Sequence, residues 1–137
     1  NSFDYESITH SDLHPKNIIF NSKGVNAILD FEDIKVYPIS SSFGFSSYKL
    51  GRELIRKLSL DKNEWTKILE ISMGYINKVD TKLNFTKKQL GLGSIYRIFE
   101  NIHYSINFMK PNNKNNFDFA MKKQLRSVIE TRWMFDL

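Results

Sequence analysis

His10-Ser-Asp12-Leu-His14-Pro-Lys-Asn17-Ile-Ile-Phe20-Asn-Ser-Lys-Gly24-Val-Asn-Ala-Ile-Leu29-Asp30-Phe31-Glu32 is the stretch that decides the reading of this chain. Two short apolar runs, 17–20 and 25–29, flank a polar segment, 21–24, that ends in glycine, the pattern of a β-hairpin. A hairpin turning at 21–24 returns Asp30 to the open end where Asn17 starts. Asp12 precedes the first strand and opens onto that same end.

An aspartate, an asparagine five residues on and a second aspartate beyond a hairpin are the parts that phosphoryl transfer to a hydroxyl needs. Such transfer passes through a loose transition state, so protein groups mainly position the acceptor and hold the cations that neutralise charge. Asp12 can orient the attacking hydroxyl and take its proton. Magnesium takes oxygen ligands and accepts only one or two from protein, which suits the Asn17 carbonyl and the Asp30 carboxylate.

At these residues the chain resembles the aminoglycoside phosphotransferase and choline kinase-like family, relatives of the protein kinases. The resemblance rests on His10-Ser11-Asp12, Asn17 and Asp30-Phe31-Glu32, which parallel the H-R-D, Asn and D-F-G elements of kinases. Glutamate after Asp-Phe is more like the small-molecule kinases. The resemblance implies Asp12 as catalytic base, Asn17 and Asp30 as Mg2+ ligands, ATP as phosphate donor and His10 as a structural brace of the catalytic loop. It further implies a protein-kinase-like C-terminal lobe, and acceptors that range over aminoglycosides, choline or ethanolamine, amino-alcohols and sugars.

Other polar residues near the motif admit two readings. Glu32 and Asp33 either contact a second metal or a cationic substrate, or form a solvated acidic surface. Asp12-Leu-His14 also opens a metallophosphoesterase-like pattern, but its Gly-Asp-x-x-Asp and Gly-Asn-His partners do not occur in the chain. His103 falls in a helical apolar pattern, where a structural histidine is expected.

The chain has 137 residues, enough for one domain with a core, whereas a complete kinase of this kind has two lobes. No P-loop occurs, and Gly91-Leu-Gly93-Ser-Ile-Tyr96 imitates a glycine-rich loop only in part, with tyrosine where the last glycine belongs. The expectation is therefore a single domain over 1–137, with a catalytic-loop hairpin at about 8–33 and a helical part at about 43–137. The N-terminal nucleotide-binding lobe is expected to be missing, and catalysis by this piece alone is not expected.

Cysteine is absent, which removes disulfides and thiolate metal sites. No apolar run is long enough to span a bilayer and no signal peptide opens the chain, so a cytoplasmic protein without a membrane partner is expected. The net charge of +5 favours anionic partners in general, among them nucleotide phosphate. Lys87-Lys88 and Lys122-Lys123 sit in helical patterns as solvated faces, and no nucleic-acid-binding signature accompanies them.

Beyond the hairpin the pattern turns helical, which makes the fold class α+β and mostly α-helical, with about four helices. A loop with Pro38 and Ser40-Ser-Ser-Phe-Gly44 is expected to lead into a helix with Leu50, Leu54 and Leu58 on one face. Asp61 with Glu64, and Thr86 with Gln89, form capping boxes that open the next two helices. Trp65, Ile68, Leu69, Ile76 and Val79 stripe the second; Ile95, Ile98, Phe99, Ile102, Ile106 and Met109 stripe the third, where Gly91 and Gly93 could interrupt the first turns. A polar, asparagine-rich loop at 111–116 precedes a last helix at about 117–135 that carries Phe117, Met121, Leu125, Val128 and Ile129 on one side.

Tyr37, Phe43, Phe45 and Tyr48, with Trp65 or Trp133, either pack the core or wall an acceptor pocket. Two function classes follow. One is the acceptor-binding portion of an ATP-dependent small-molecule phosphotransferase. The other is a non-catalytic kinase-like remnant that binds a partner or self-associates, which a large exposed apolar patch would favour.

Overall fold

The computed structural model describes residues 6–80, 83–109 and 114–137. Four short strands come first: β1 (Glu6–His10), β2 (Ile18–Asn21), β3 (Gly24–Ile28) and β4 (Ile34–Pro38). Four helices follow, α1 (Ile39–Leu58), α2 (Lys62–Val79), α3 (Lys87–Tyr104) and α4 (Lys114–Phe135). The fold is α+β and mostly helical. No helix among the described residues is long and apolar enough to cross a membrane.

The expected hairpin forms as β2–β3, with Ile18 opposite Ile28 and Phe20 opposite Val25 across a bulge at Ile19/Phe20. Its turn is tighter than expected, Ser22-Lys23 alone, because Asn21 pairs with Gly24 and its Oδ1 accepts from the Lys23 N–H at 2.8 Å. Gly24 takes φ 123°, a conformation open to glycine and strained for other residues.

A second ladder was not foreseen. β1 pairs antiparallel with β4, from Glu6 opposite Pro38 to His10 opposite Ile34, so the segment read as a loop around Pro38 is in part a strand. Its alternation is inverted: Tyr37 is buried, while Ile34 and Val36 face outward at 43% and 62% exposure. That inversion hides the strand from a search for apolar-inward alternation.

The serine-rich segment after Pro38 is also helix and not loop, since α1 begins at Ile39. Ser40, Ser41 and Ser42 are buried there; the Ser42 hydroxyl meets Thr9 of β1 at 2.7 Å, and the Ser40–Ser41 backbone lies close to α3. Gly93 is the counterpart on α3: a Cβ at that position would lie 2.5 Å from the Ser40 carbonyl oxygen. Gly91 and Gly93 thus do not interrupt α3, which runs unbroken through both.

The core gathers Phe45 and Tyr48 of α1, Trp65 and Leu69 of α2, Leu90 and Ile98 of α3, and Met134 and Phe135 at the end of α4. Trp65 donates its Nε1–H to the Met134 carbonyl at 2.9 Å, fastening α2 to the chain's end. The expected leucine stripe of α1 is not its core face, since Leu54 and Leu58 are exposed. A helix starting at Ile39 instead turns Phe45, Tyr48 and Gly51 inward. Val79, Phe99, Ile106, Leu125 and Ile129 are likewise exposed, so the stripes of α2, α3 and α4 contribute only part of the core.

Both expected capping boxes are formed. Asp61 accepts from the Asn63 and Glu64 N–H groups while Glu64 accepts from the Asp61 N–H, and Thr86 and Gln89 exchange the same pair. α3 gives way to a π-helical turn, Ser105–Met109, where a continued α-helix was expected. α4 starts at Lys114, earlier than expected, and the asparagine-rich loop up to residue 113 lies outside the described residues.

Candidate active site

A 3-10 turn, Pro15–Asn17, delivers the sequence motif to the hairpin. Proline at its first position costs no hydrogen bond, and the His14 Nδ1 caps it by accepting from the Lys16 N–H at 3.2 Å. His14 therefore has a structural task. Its Nε2 also lies 3.6 Å from the Asp12 carboxylate.

Asn17 is buried where the turn meets β2, and its carbonyl accepts from the Leu29 N–H at 2.8 Å, which closes the open end of the hairpin. One residue on, Asp30 adopts φ 64° and ψ 61°, a left-handed conformation that aspartate tolerates better than most residues. This bend carries the Asp30 carboxylate to 3.4 Å from Asn17 Nδ2, which also donates to the Asp12 carbonyl at 3.2 Å. Asp12, Asn17 and Asp30 are thus brought together.

His10 ends β1 and its Nε2 meets the Leu29 carbonyl at 3.0 Å. Leu29 is therefore held from both sides, by Asn17 through its N–H and by His10 through its carbonyl. The His10 ring also packs against Phe31 at 5.8 Å between centroids.

Asp33 and Glu32 share a second 3-10 turn, Phe31–Asp33, and part company there. The Asp33 carbonyl accepts from Ser11 Oγ at 2.8 Å and from the Ser11 N–H at 3.2 Å, which ties the turn to the catalytic loop. Its carboxylate stands 4.0 Å from Arg97 and lines a cleft. Glu32 is exposed and lies outside that cleft's wall.

The cleft measures about 460 Å³ and opens between the catalytic loop, α1, the end of α3 and α4. Asp12 is on its wall, so a molecule seated there has access to that carboxylate. Facing Asp12 and Asp33 are Lys49, Arg52, Arg97 and Lys123. Arg52 is held by Glu130 at 3.0 Å and Arg97 by Glu100 at 3.2 Å. Burial pushes the Lys49 ammonium below the ordinary lysine range, while the Asp12 charge works in the opposite direction.

Lys49, Arg52 and Arg97 were not singled out from sequence, and Lys123, read with Lys122 as a solvated face, is exposed and also lines the cleft. The available signal is the face of α1: Phe45, Tyr48, Lys49 and Arg52 follow i, i+3, i+4, i+7, which places two cations beside the aromatic core face once the helix starts at Ile39. Of the aromatic residues, Tyr37, Phe45, Tyr48 and Trp65 are core, and only Phe45 among them also reaches the cleft. The buried Tyr37 hydroxyl donates to Glu100, and the buried Tyr48 hydroxyl donates to Glu130 at 2.8 Å. The Asn107 side-chain amide donates to His103 Nε2 at 2.8 Å, so this histidine is a satisfied, exposed one.

Among the described residues no group of three His, Cys, Asp or Glu side chains is placed to hold a metal. A magnesium ion needs fewer protein ligands than that when phosphates and water complete its shell. The 3.4 Å between the Asn17 amide and the Asp30 carboxylate is near the ~3 Å that separates adjacent ligands on a cation with bonds of about 2.1 Å. With its amide nitrogen kept on the Asp12 carbonyl, Asn17 would offer its Oδ1, and Asp30 its carboxylate, to such a cation. The pair fits magnesium.

Residues 4–60 match the family model described as the phosphotransferase enzyme family, APH. The match takes in the loop that carries Asp12, both ladders and α1. No curated protein and no solved structure matches the chain.

Proposed function

From the premise that residues 4–60 are an aminoglycoside phosphotransferase-like segment, we propose that this chain is the acceptor-binding and catalytic portion of an ATP-dependent small-molecule phosphotransferase. The observation that carries the reading is the convergence of Asp12, Asn17 and Asp30, with Asp12 also on the wall of a cleft large enough for a small hydroxylated molecule. The acceptor is aminoglycoside-, choline- or sugar-like in size and bears the hydroxyl that is phosphorylated.

In this reading the acceptor sits in the cleft with one hydroxyl against the Asp12 carboxylate. Asp12 takes that hydroxyl's proton as the oxygen forms its bond to the terminal phosphorus of ATP and the bond to the bridging oxygen breaks, releasing ADP. Asn17 also fixes the catalytic loop, through its amide donated to the Asp12 carbonyl. Asn17 and Asp30 hold Mg2+, which supplies charge neutralisation at the phosphates. His10 braces Leu29, the residue next to Asp30, and Asp33 stands on the acceptor side. A nucleotide-binding lobe from outside these 137 residues completes the donor side, in the cytoplasm, where ATP is abundant.

The deciding experiment incubates the full-length protein with ATP, Mg2+ and a panel of aminoglycosides, choline, ethanolamine, homoserine and sugars, and measures ADP release. Acceptor-dependent release that is lost in Asp12→Asn supports the reading. Undiminished turnover in that variant would sink the assignment of the base.

A second reading has its own observation. Each ladder carries an exposed apolar cross-strand pair: Ile8 and Val36 at 74% and 62% on β1–β4, and Phe20 and Val25 at 61% and 60% on β2–β3. Such faces suit a non-catalytic module that associates with a second copy. Sedimentation of the chain alone tests it, with a dimer lost in Ile8→Lys expected and a monomer at high concentration counting against it.

A further inference from the structure

The cleft beside Asp12 has a charge balance that says what it will accept. Its wall carries Lys49, Arg52, Arg97 and Lys123 against Asp12 and Asp33. Arg52 is neutralised by Glu130 and Arg97 by Glu100, so these two arginines are already bound to carboxylates of the protein. Lys49 and Lys123 form no salt bridge among the described residues. Asp33 is engaged only at 4.0 Å by Arg97, and Asp12 has to remain available for a proton.

We propose that the acceptor is an anion, a hydroxylated carboxylate or phosphate ester whose negative group is held by Lys49 and Lys123 while its hydroxyl faces Asp12. This rests on the phosphotransferase reading and narrows it. The two lysines come from different helices, α1 and α4, yet line one cleft closely enough for the Lys123 charge to act on Lys49, so one anionic group there can be shared by both. Lys49 is half-buried with its ammonium 4.9 Å from the Phe45 ring, which keeps it on the inner wall and out of bulk water. Burial works against the charged form of Lys49, as do the charges of Lys123, Arg52 and Arg97, while Asp12 supports it; a bound anion adds to that support. A polycationic acceptor meets the opposite situation: it brings positive charge beside Lys49 and Lys123, which no carboxylate of the described residues ion-pairs.

Three sugars of one ring size separate the possibilities: glucuronate, glucose and glucosamine, titrated into the protein by calorimetry at low salt. Glucuronate is expected to bind at least tenfold more tightly than glucose, and glucosamine more weakly than either. Lys49→Met, which keeps an apolar stem on Phe45, is expected to bring glucuronate down to the affinity of glucose and leave glucose unchanged. Lys123→Glu, at an exposed position that tolerates substitution, is expected to move the preference toward glucosamine. Equal affinities, a preference for glucosamine in the unaltered protein, or no binding of glucuronate would overturn the proposal. Binding needs no ATP, so the two readings fail separately. A charge preference without phosphoryl transfer sinks only the catalytic reading, and transfer to neutral and cationic sugars without a charge preference sinks only this one.

Discussion

Asn17 Nδ2 lies 3.4 Å from Asp30 Oδ2, a distance set by a hairpin whose open end is closed by the Leu29 N–H on the Asn17 carbonyl. The two side chains are too far apart for a strong hydrogen bond and well spaced to share a cation. Asp30→Asn removes the only full negative charge of that pair. The expected outcome is a requirement for magnesium raised at least tenfold and turnover lower by about two to three orders of magnitude. Initial rates against Mg2+ concentration in the full-length protein check it, and an unchanged magnesium curve would exclude Asp30 as a ligand.

His10 acts on the same pair through the Leu29 carbonyl, 3.0 Å away. Its removal leaves that carbonyl without its partner and loosens the residue that precedes Asp30, at a cost of about 1 kcal/mol in stability. His10→Ala should therefore lower turnover and raise the magnesium requirement together, with little effect on acceptor affinity. His10→Gln, which retains an amide donor of similar reach, should recover part of both. A brace predicts that split; a group in direct proton transfer predicts no rescue by glutamine.

How much of this could be read from the chain depends on whether the signal was local. The hairpin and the two capping boxes were legible because Asn17 to Asp30, Asp61 to Glu64 and Thr86 to Gln89 interact over short separations with distinctive residue types. The β1–β4 ladder was not, because its partners are far apart in sequence and Ile34 and Val36 face outward. Serines at 40–42 read as loop because their place is set by tertiary contacts invisible in α1 alone: Ser42 meets Thr9 of β1, and the Ser40–Ser41 backbone lies against Gly93 of α3. The cleft's cations escaped for the same cause: Lys49, Arg97 and Lys123 sit on three different helices, and only packing gathers them around Asp12.

The close approach of α1 and α3 gives a prediction about stability. A Cβ on Gly93 would lie 2.5 Å from the Ser40 oxygen and 2.8 Å from the Ser41 nitrogen, backbone atoms that cannot swing aside. Gly93→Ala must push the helices apart, at about 1–3 kcal/mol. The melting temperature should fall by roughly 5–10 °C. Gly74 is the control, since nothing lies within 4 Å of a Cβ there, and Gly74→Ala, within α2, should be neutral or stabilising.

Tyr48 supplies a pH signature for the core. It is wholly buried and its hydroxyl donates to Glu130, and burial together with that carboxylate pushes its pKa from 10.0 up to about 12. The protonated phenol is the form the folded protein favours, and the unfolded chain gives up the proton sooner. The associated stability is thus complete below pH 10, falls once the unfolded tyrosine ionises, and is gone when the pH has passed about 12. Tyr37 is raised in the same direction by burial and by Glu100, so it adds to the loss above pH 10. Denaturant unfolding at pH 8, 10 and 11.5 should show a decline on the order of 1–3 kcal/mol for the unaltered protein. Tyr48→Phe should be less stable at pH 8, because Glu130 loses its donor, and should decline less steeply above pH 10. A variant with the same alkaline slope as the parent would show that Tyr48 does not carry the effect.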